Sequence, residues 1–242
     1  KEISQQARGA LAKEPKLKAL LQASILDHES LPLALSARLA EVLGSRYLGA
    51  DMLRDSFGAA LKSDLIIAEA MEADIEANYE RDPACRSYLD VVLFFKGFHA
   101  LQAHRLSHFL YRNHEKKLAL YLQSQISDYF GVDIHPDAKI GKGIMIDHAE
   151  GVVIGETAIV GDDVSMLHGV TLGGLGKEVG DRHPKIGKGV LLSVGAKILG
   201  NIHIGDYAKV GAGSVVLQDV PAYKTAVGVP AKIIGEKSED NE

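Results

Sequence analysis

The sequence predicts an α+β chain: an N-terminal α-helical domain over residues 1–130, followed by a C-terminal left-handed parallel β-helix of hexapeptide repeats over 131–235. Two observations carry that reading. Composition changes abruptly near Gly131: five of the 25 glycines precede it, and of the eight tyrosines and six phenylalanines only Tyr207 and Tyr223 lie beyond it. The spacing of apolar residues changes at the same point, from three and four to six.

In the first half, apolar residues recur as Leu17, Leu20, Leu21 and Ile25, and again as Leu118, Leu122 and Ile126. That period of about 3.6 marks amphipathic helices. Breaks are expected at Pro15, Pro32, Gly44, Gly49 and Arg81-Asp82-Pro83, because proline disfavours helical geometry in the residue before it. Six to eight short helices packed as a bundle are therefore expected. The stretch from Asp90 to Tyr111 carries Phe94, Phe95, Phe98, Leu101, Leu106 and Phe109, more apolar surface than one stripe needs. A contact with another subunit and a deep intrachain core both explain it. His99, His104 and His108 are spaced for one helix face, but no carboxylate or cysteine stands at a matching offset, so no metal site is expected there.

In the second half an aliphatic residue returns every six positions. The row runs Ile134, Ile140, Ile146; after a two-residue slip, Ile154, Val160, Met166, Leu172; and after a longer break, Ile186, Leu192, Ile198, Ile204, Val210, Val216. Glycine commonly follows, and a small or branched residue such as Ala138, Ala158, Val164 or Ala196 stands four places on. Each hexad supplies one strand and one turn, and three hexads close a triangular coil of about 18 residues. The aliphatic side chain points inward, glycine takes the tight corner, and the narrow interior excludes large aromatics. Two irregularities interrupt the row: the slip at Asp147-His148-Ala149-Glu150-Gly151 and an excursion, loop 173–185. A solenoid that leaves its own register usually does so at a functional site.

Composition bounds the rest. The 242 residues hold 27 basic and 32 acidic side chains, a formal net charge of −5, which argues against a nucleic-acid binder. At 46% hydrophobic and 24% charged the chain reads as globular. The lone Cys85 excludes an internal disulfide framework and a multi-cysteine zinc site and fits a reducing, cytoplasmic compartment. No apolar run approaches the roughly 18 residues of a membrane span. No P-loop pattern is present.

With coils of about 18 residues, Asp133 and His148 fall on neighbouring coils about 5 Å apart along the axis. A carboxylate there orients one imidazole nitrogen and leaves the other as a general base; a structural hydrogen bond is the alternative. His168 occupies the same place about one coil above His148. On the excursion, Arg182 and His183 suit recognition of an anion, or a surface pair that keeps the loop soluble.

These motifs resemble those of a known family. Glu80-Arg81-Asp82-Pro83-Ala84, Lys96-Gly97-Phe98-His99-Ala100, Val132-Asp133-Ile134-His135-Pro136, Asp147-His148-Ala149, Thr171-Leu172-Gly173-Gly174, Gly180-Asp181-Arg182-His183-Pro184-Lys185 and Gly228-Val229-Pro230-Ala231-Lys232 are similar to the bacterial serine acetyltransferases over nearly the whole chain. The resemblance implies transfer of acetyl from acetyl-CoA, a co-substrate rather than a resident cofactor, to the hydroxyl of L-serine. It implies His148 as catalytic base with Asp133 as its partner, and no metal. Asp82 and Asp147 would hold the α-ammonium of serine, and Arg182 and His183 its carboxylate. CoA would lie along a prism edge near Gly174, Val194 and Ala212, with Lys232 at a phosphate. Feedback inhibition by L-cysteine and a homohexamer, a dimer of trimers, are further implications. Three positions depart from the family pattern: Glu150 stands where threonine is common, and Ser193-Val194 where Gly-Ala is usual. The acidic tail, 236–242, lacks the terminal isoleucine by which many members bind O-acetylserine sulfhydrylase, which sets that partnership in question. The rival readings are acetyl transfer to another hydroxyl, such as a sugar's, and a scaffold role.

Overall fold

Helix boundaries in the first 130 residues fall where the sequence places caps and breakers. In the computed structural model, which describes residues 1–176 and 179–234, α1 (Glu2–Lys13) stops before Pro15, and α2 (Lys18–Leu21) runs into a wide π-type turn at Gln22–Leu26. Helix α3 (Leu31–Leu43) carries Pro32 in its first turn and ends at Gly44, as proline's fixed φ and missing N–H allow. Helix α4 (Ala50–Ser63) follows Gly49, and α5 (Leu65–Arg81) is capped by Asp64, whose carboxylate accepts the Ile66 N–H at 3.0 Å. Ser87 caps α6 (Tyr88–Phe94), Phe95 breaks the apolar stretch in extended geometry, and α7 (Lys96–Arg112) and α8 (Lys116–Phe130) complete the unit.

The apolar surplus of the Asp90–Tyr111 stretch goes into this unit's own core. Phe98, Leu101 and Leu106 are buried, whereas Phe94 stays exposed. Beside them Asp74 of α5, fully buried, accepts Arg105 Nη2 at 2.7 Å and Gln102 Nε2 at 2.9 Å from α7. Such a pair is retained because removing either partner strands a buried charge.

The chain divides into two compact units, 1–130 and 131 onward. The second is a prism with three faces. The first face is β1 (Val132–Ile134), β4 (Val152–Ile154), β7 (Thr171–Gly173), β10 (Lys197–Leu199) and β13 (Val215–Val216). The second is β2 (Lys139–Ile140), β5 (Ile159–Val160), β8 (Lys185–Ile186) and β11 (His203–Ile204). The third is β3 (Met145–Ile146), β6 (Ser165–Met166), β9 (Leu191–Leu192), β12 (Lys209–Val210), β14 (Thr225–Gly228) and β15 (Ala231–Ile234). All pair in parallel except β14 with β15, the antiparallel hairpin at the end of the third face.

Register confirms the six-residue reading. Every aliphatic residue of the predicted row is buried except the half-buried Ile140, and Ala138, Ala158, Val164 and Ala196 are buried as well. At the corners there is no room for a side chain: a Cβ on Gly161 would stand 2.9 Å from the backbone carbon of Gly187 on the next coil. On the first face Asp133 pairs with Val153, Val153 with Thr171, Thr171 with Lys197 and Lys197 with Val215. The steps are therefore 20, 18, 26 and 18 residues. The regular coil is 18, the slip adds two, and the excursion adds eight. The tail, 236–242, lies outside the described residues. So do Gly235 and two residues of the excursion, Lys177 and Glu178. Among the described residues no helix is long and apolar enough to cross a membrane.

His99, on α7, donates from Nε2 to the Val92 carbonyl at 2.7 Å and packs against Phe98 and Phe130. Burial pushes it down to about 4. Folded, the ring stays neutral to about pH 4, whereas unfolded it takes a proton near pH 6.5. The unfolded state therefore binds more protons between those values, and acid favours unfolding, by on the order of 3 kcal/mol at the low end. The urea midpoint of the helical unit is expected to fall between pH 7 and pH 4.5, and to fall less in His99→Gln. An equal drop in both proteins counts against this origin of the acid sensitivity.

Candidate active site

The two departures from the 18-residue coil put reactive side chains on two different edges of the prism. Between β3 and β4 the corner holds two residues more than the corners above it, and His148 and Ala149 are both left-handed, with φ of 56° and 64°. Their backbone closes in successive two-residue turns, Ala149 N–H to the Asp147 carbonyl at 2.6 Å and Glu150 N–H to the His148 carbonyl at 2.8 Å. Non-glycine residues held in this region store strain, and such positions cluster at functional sites. The protrusion buries Ala149 completely and leaves the His148 side chain 75% exposed.

Two side chains flank that imidazole. Asp147 Oδ2 lies 3.8 Å from Nε2, and the His168 ring stands edge-on at 5.7 Å between centroids. His168 is thus one coil above His148, as its place in the repeat predicts. The ladder of the third face, Met145 to Ser165 to Leu191 to Lys209, continues the same corner column through Val194 and Ala212. Val194 and Ala212 therefore share an edge with the expected base, whereas Gly174, expected to border CoA with them, follows β7 at the other end of the first face. Asp133 lies on β1 opposite Val153, five residues past His148; two residues on, burial pulls the His135 pKa down against the opposing charges of Glu156, Asp137 and Asp133. The Glu150 carboxylate is turned against Gly131, where a Cβ would meet Oε1 at 2.6 Å.

At the other end of the first face, the excursion folds back onto the turn after β4. The Arg182 guanidinium donates to Glu156 Oε2 at 2.8 Å and to the Gly180 carbonyl at 3.0 Å; the Arg182 contact holds the Glu156 carboxyl below its usual range. Lys185 Nζ ties the loop to Asp181 at 2.6 Å, to the His183 carbonyl at 2.6 Å and to the Thr157 carbonyl at 3.1 Å. His183 is buried, its Nδ1 held by Thr157. Burial first and the Arg182 charge next pull its pKa down, so the ring is neutral at pH 7. Gly174 packs on this loop, a Cβ there standing 3.5 Å from the Arg182 Cγ. A three-residue strand spans about 10 Å, so the Arg182–His183 edge and the His148 edge of one chain are separated by a whole face.

The remaining predicted residues stand elsewhere. Asp82, in the helical unit, ends α5 and accepts the Ala84 N–H at 2.8 Å. Lys232 is exposed on β15, opposite Val227. Cys85 is buried, with burial raising its thiol pKa and Sγ donating to the Ser87 carbonyl. Of the three helical histidines, His99 is turned to a carbonyl, while His104 and His108 face each other at 6.0 Å. No group of three or more His, Cys, Asp or Glu side chains arranged for a metal ion occurs among the described residues. Sequence reasoning missed Glu156 and Thr157, which seat the excursion. They follow Ile154 and Gly155 inside a regular hexad, so nothing in the pattern separates them from any other corner.

Comparison with known proteins accords with both units. Residues 1–103 match the family model described as serine acetyltransferase, N-terminal, and residues 183–218 match that described as bacterial transferase hexapeptide (six repeats). The serine acetyltransferase of Haemophilus influenzae is 51% identical over 234 residues, covering 97% of this chain and 88% of the relative. Among solved structures, Brucella abortus serine acetyltransferase in complex with coenzyme A aligns with a TM-score of 0.95 at 51% identity, covering 98% of this chain and 95% of that one. Soybean serine acetyltransferase complexed with serine aligns at 0.94 with 55% identity, covering 96% of each. Identity at this level over both units, together with the corner chemistry of the prism, places the chain in the serine acetyltransferase family, a family of acyltransferases.

Proposed function

We propose that the protein transfers the acetyl group of acetyl-CoA to the hydroxyl of L-serine, giving O-acetyl-L-serine and CoA, the first step from serine toward cysteine. The observation that carries the reading is the His148 protrusion: an exposed imidazole on a strained two-residue insertion, in the column that Val194 and Ala212 continue. His148 takes the proton from serine Oγ as that oxygen attacks the thioester carbonyl. The C–O bond forms, the tetrahedral adduct collapses with loss of the C–S bond, and the imidazolium returns the proton to the CoA sulfur. Asp133 is assigned to orient the ring and Asp147 to the substrate ammonium. Arg182 and His183 receive the carboxylate, Arg182 as a planar fork and His183 as a neutral donor.

One serine cannot span a face of the prism, so the His148 edge of one copy meets the Arg182–His183 edge of another. The site is then completed by oligomerisation, in trimers that the helical units join into hexamers. L-Cysteine, with sulfur in place of oxygen, fits the same ammonium and carboxylate contacts and inhibits by competing with serine. The pantetheine arm follows the Val194–Ala212 column, and Lys232 is assigned to a CoA phosphate.

Loss of thioester absorbance from acetyl-CoA is expected to depend on L-serine, to be absent with a panel of sugars, and to be slowed by L-cysteine in competition with serine. Turnover of a sugar without turnover of serine overturns the reading. His148→Ala is expected to lower kcat by a factor of about 10² to 10⁴, the usual worth of a positioned base, while CoA still binds in calorimetry. A variant with near-normal kcat removes His148 from the mechanism.

A further inference from the structure

Thr157 joins the prism wall to the excursion, and its bonding fixes which nitrogen of His183 accepts. Its hydroxyl oxygen accepts the Arg182 N–H at 3.0 Å and the His183 N–H at 3.1 Å, and stands 2.9 Å from His183 Nδ1. A hydroxyl has two lone pairs and one hydrogen. With both pairs taken by backbone donors, the hydrogen points to one of two acceptors within reach, His183 Nδ1 and the Asp181 carboxylate. The Asp181 carboxylate also receives Lys185 Nζ at 2.6 Å and has lone pairs to spare. Whichever way the hydroxyl turns, the backbone N–H of Thr157 donates to Nδ1 at 3.2 Å and so makes Nδ1 an acceptor.

An imidazole whose Nδ1 accepts carries its proton on Nε2. That end of the ring lies over Gly155, where a Cβ would overlap Nε2 and Cδ2; glycine is needed to admit the ring at all. The neighbouring Glu156 holds the Arg182 guanidinium. Three consecutive residues after β4, Gly155, Glu156 and Thr157, thus seat the two consecutive residues Arg182 and His183.

We propose that Thr157 is a positioning residue for amino-acid binding: it fixes the ring and tautomer of His183 so that Nε2–H is offered as a neutral donor to the substrate carboxylate. This rests on the assignment of Arg182 and His183 to that carboxylate. It separates the exposed His148 and the buried His183 by role, His148 as base and His183 as donor only.

The test uses the full chain, with KM for each substrate, kcat and direct calorimetric binding of L-serine. Thr157→Val strands two backbone donors and is expected to raise KM and Kd for L-serine about tenfold, with KM for acetyl-CoA within about twofold of the parent. Thr157→Ser, which keeps the hydroxyl, is expected to restore serine binding. His183→Gln, whose amide reaches the place of Nε2, should bind serine more tightly than His183→Asn, whose amide ends at the place of Nδ1. Unchanged serine affinity in Thr157→Val overturns the proposal. So does an equal loss for both substrates that serine at 157 does not rescue, or tighter binding by His183→Asn. Serine binding that follows the expected order without any turnover would instead sink the reading of the reaction and leave this one standing.

Discussion

Closure of each coil onto the coil beneath it is the constraint on which the catalytic unit depends. Parallel strands pair only if the chain returns to the same face after a fixed number of residues, and the inward aliphatic row enforces that return. Leu172, Leu192, Ile198 and Val210 have no exposed surface, and each such side chain contributes about 1.5–3 kcal/mol by leaving water. A shift of register by one residue would turn the whole row outward. Added residues therefore cannot be absorbed in a strand; they are expelled at a corner.

Both expulsions place histidines at an edge of the prism, and their sizes determine the surroundings each one meets. Two added residues make a knuckle too small to fold on itself, so the backbone goes left-handed at His148 and Ala149 and the imidazole is pushed outward. Eight added residues make a loop long enough to return and dock, which buries His183 while its neighbour Arg182 remains partly open. The same residue type thus meets opposite environments at the two ends of one face. His148 is exposed, while His183 is buried, clamped at Nδ1 and pulled toward the neutral form by burial.

In the helical unit the logic is different, because no repeat disciplines it. There some of the polar groups that enter the core are matched individually, Asp74 with Arg105 and Gln102 and His99 with the Val92 carbonyl, while Ser36 Oγ and Gln102 Oε1 are buried without a hydrogen-bond partner among the described residues. This is why an apolar surplus that reads equally well as a subunit contact turns out to be mostly core. Phe98 and Leu101 are buried in the same interior, and Phe94 alone of the four phenylalanines in that stretch is largely exposed.

The sequence by itself determined the periodic features. Hexads whose inward residues are nearly all buried, glycine corners, helix breaks at Pro15, Gly44 and Gly49, and the two irregularities are all local or strictly repetitive, so spacing reveals them. The family motifs likewise pointed to His148, Arg182 and His183. Tertiary structure decided what depends on where an irregular segment lands. The first coil's length of 20 rather than 18, the strain at His148, the edge-on His168, and the seating of Arg182 and His183 on Glu156 and Thr157 follow from docking between residues 20 to 26 positions apart. No periodicity encodes that docking, because Thr157 sits in a regular hexad and only the returning loop gives its hydroxyl anything to hold.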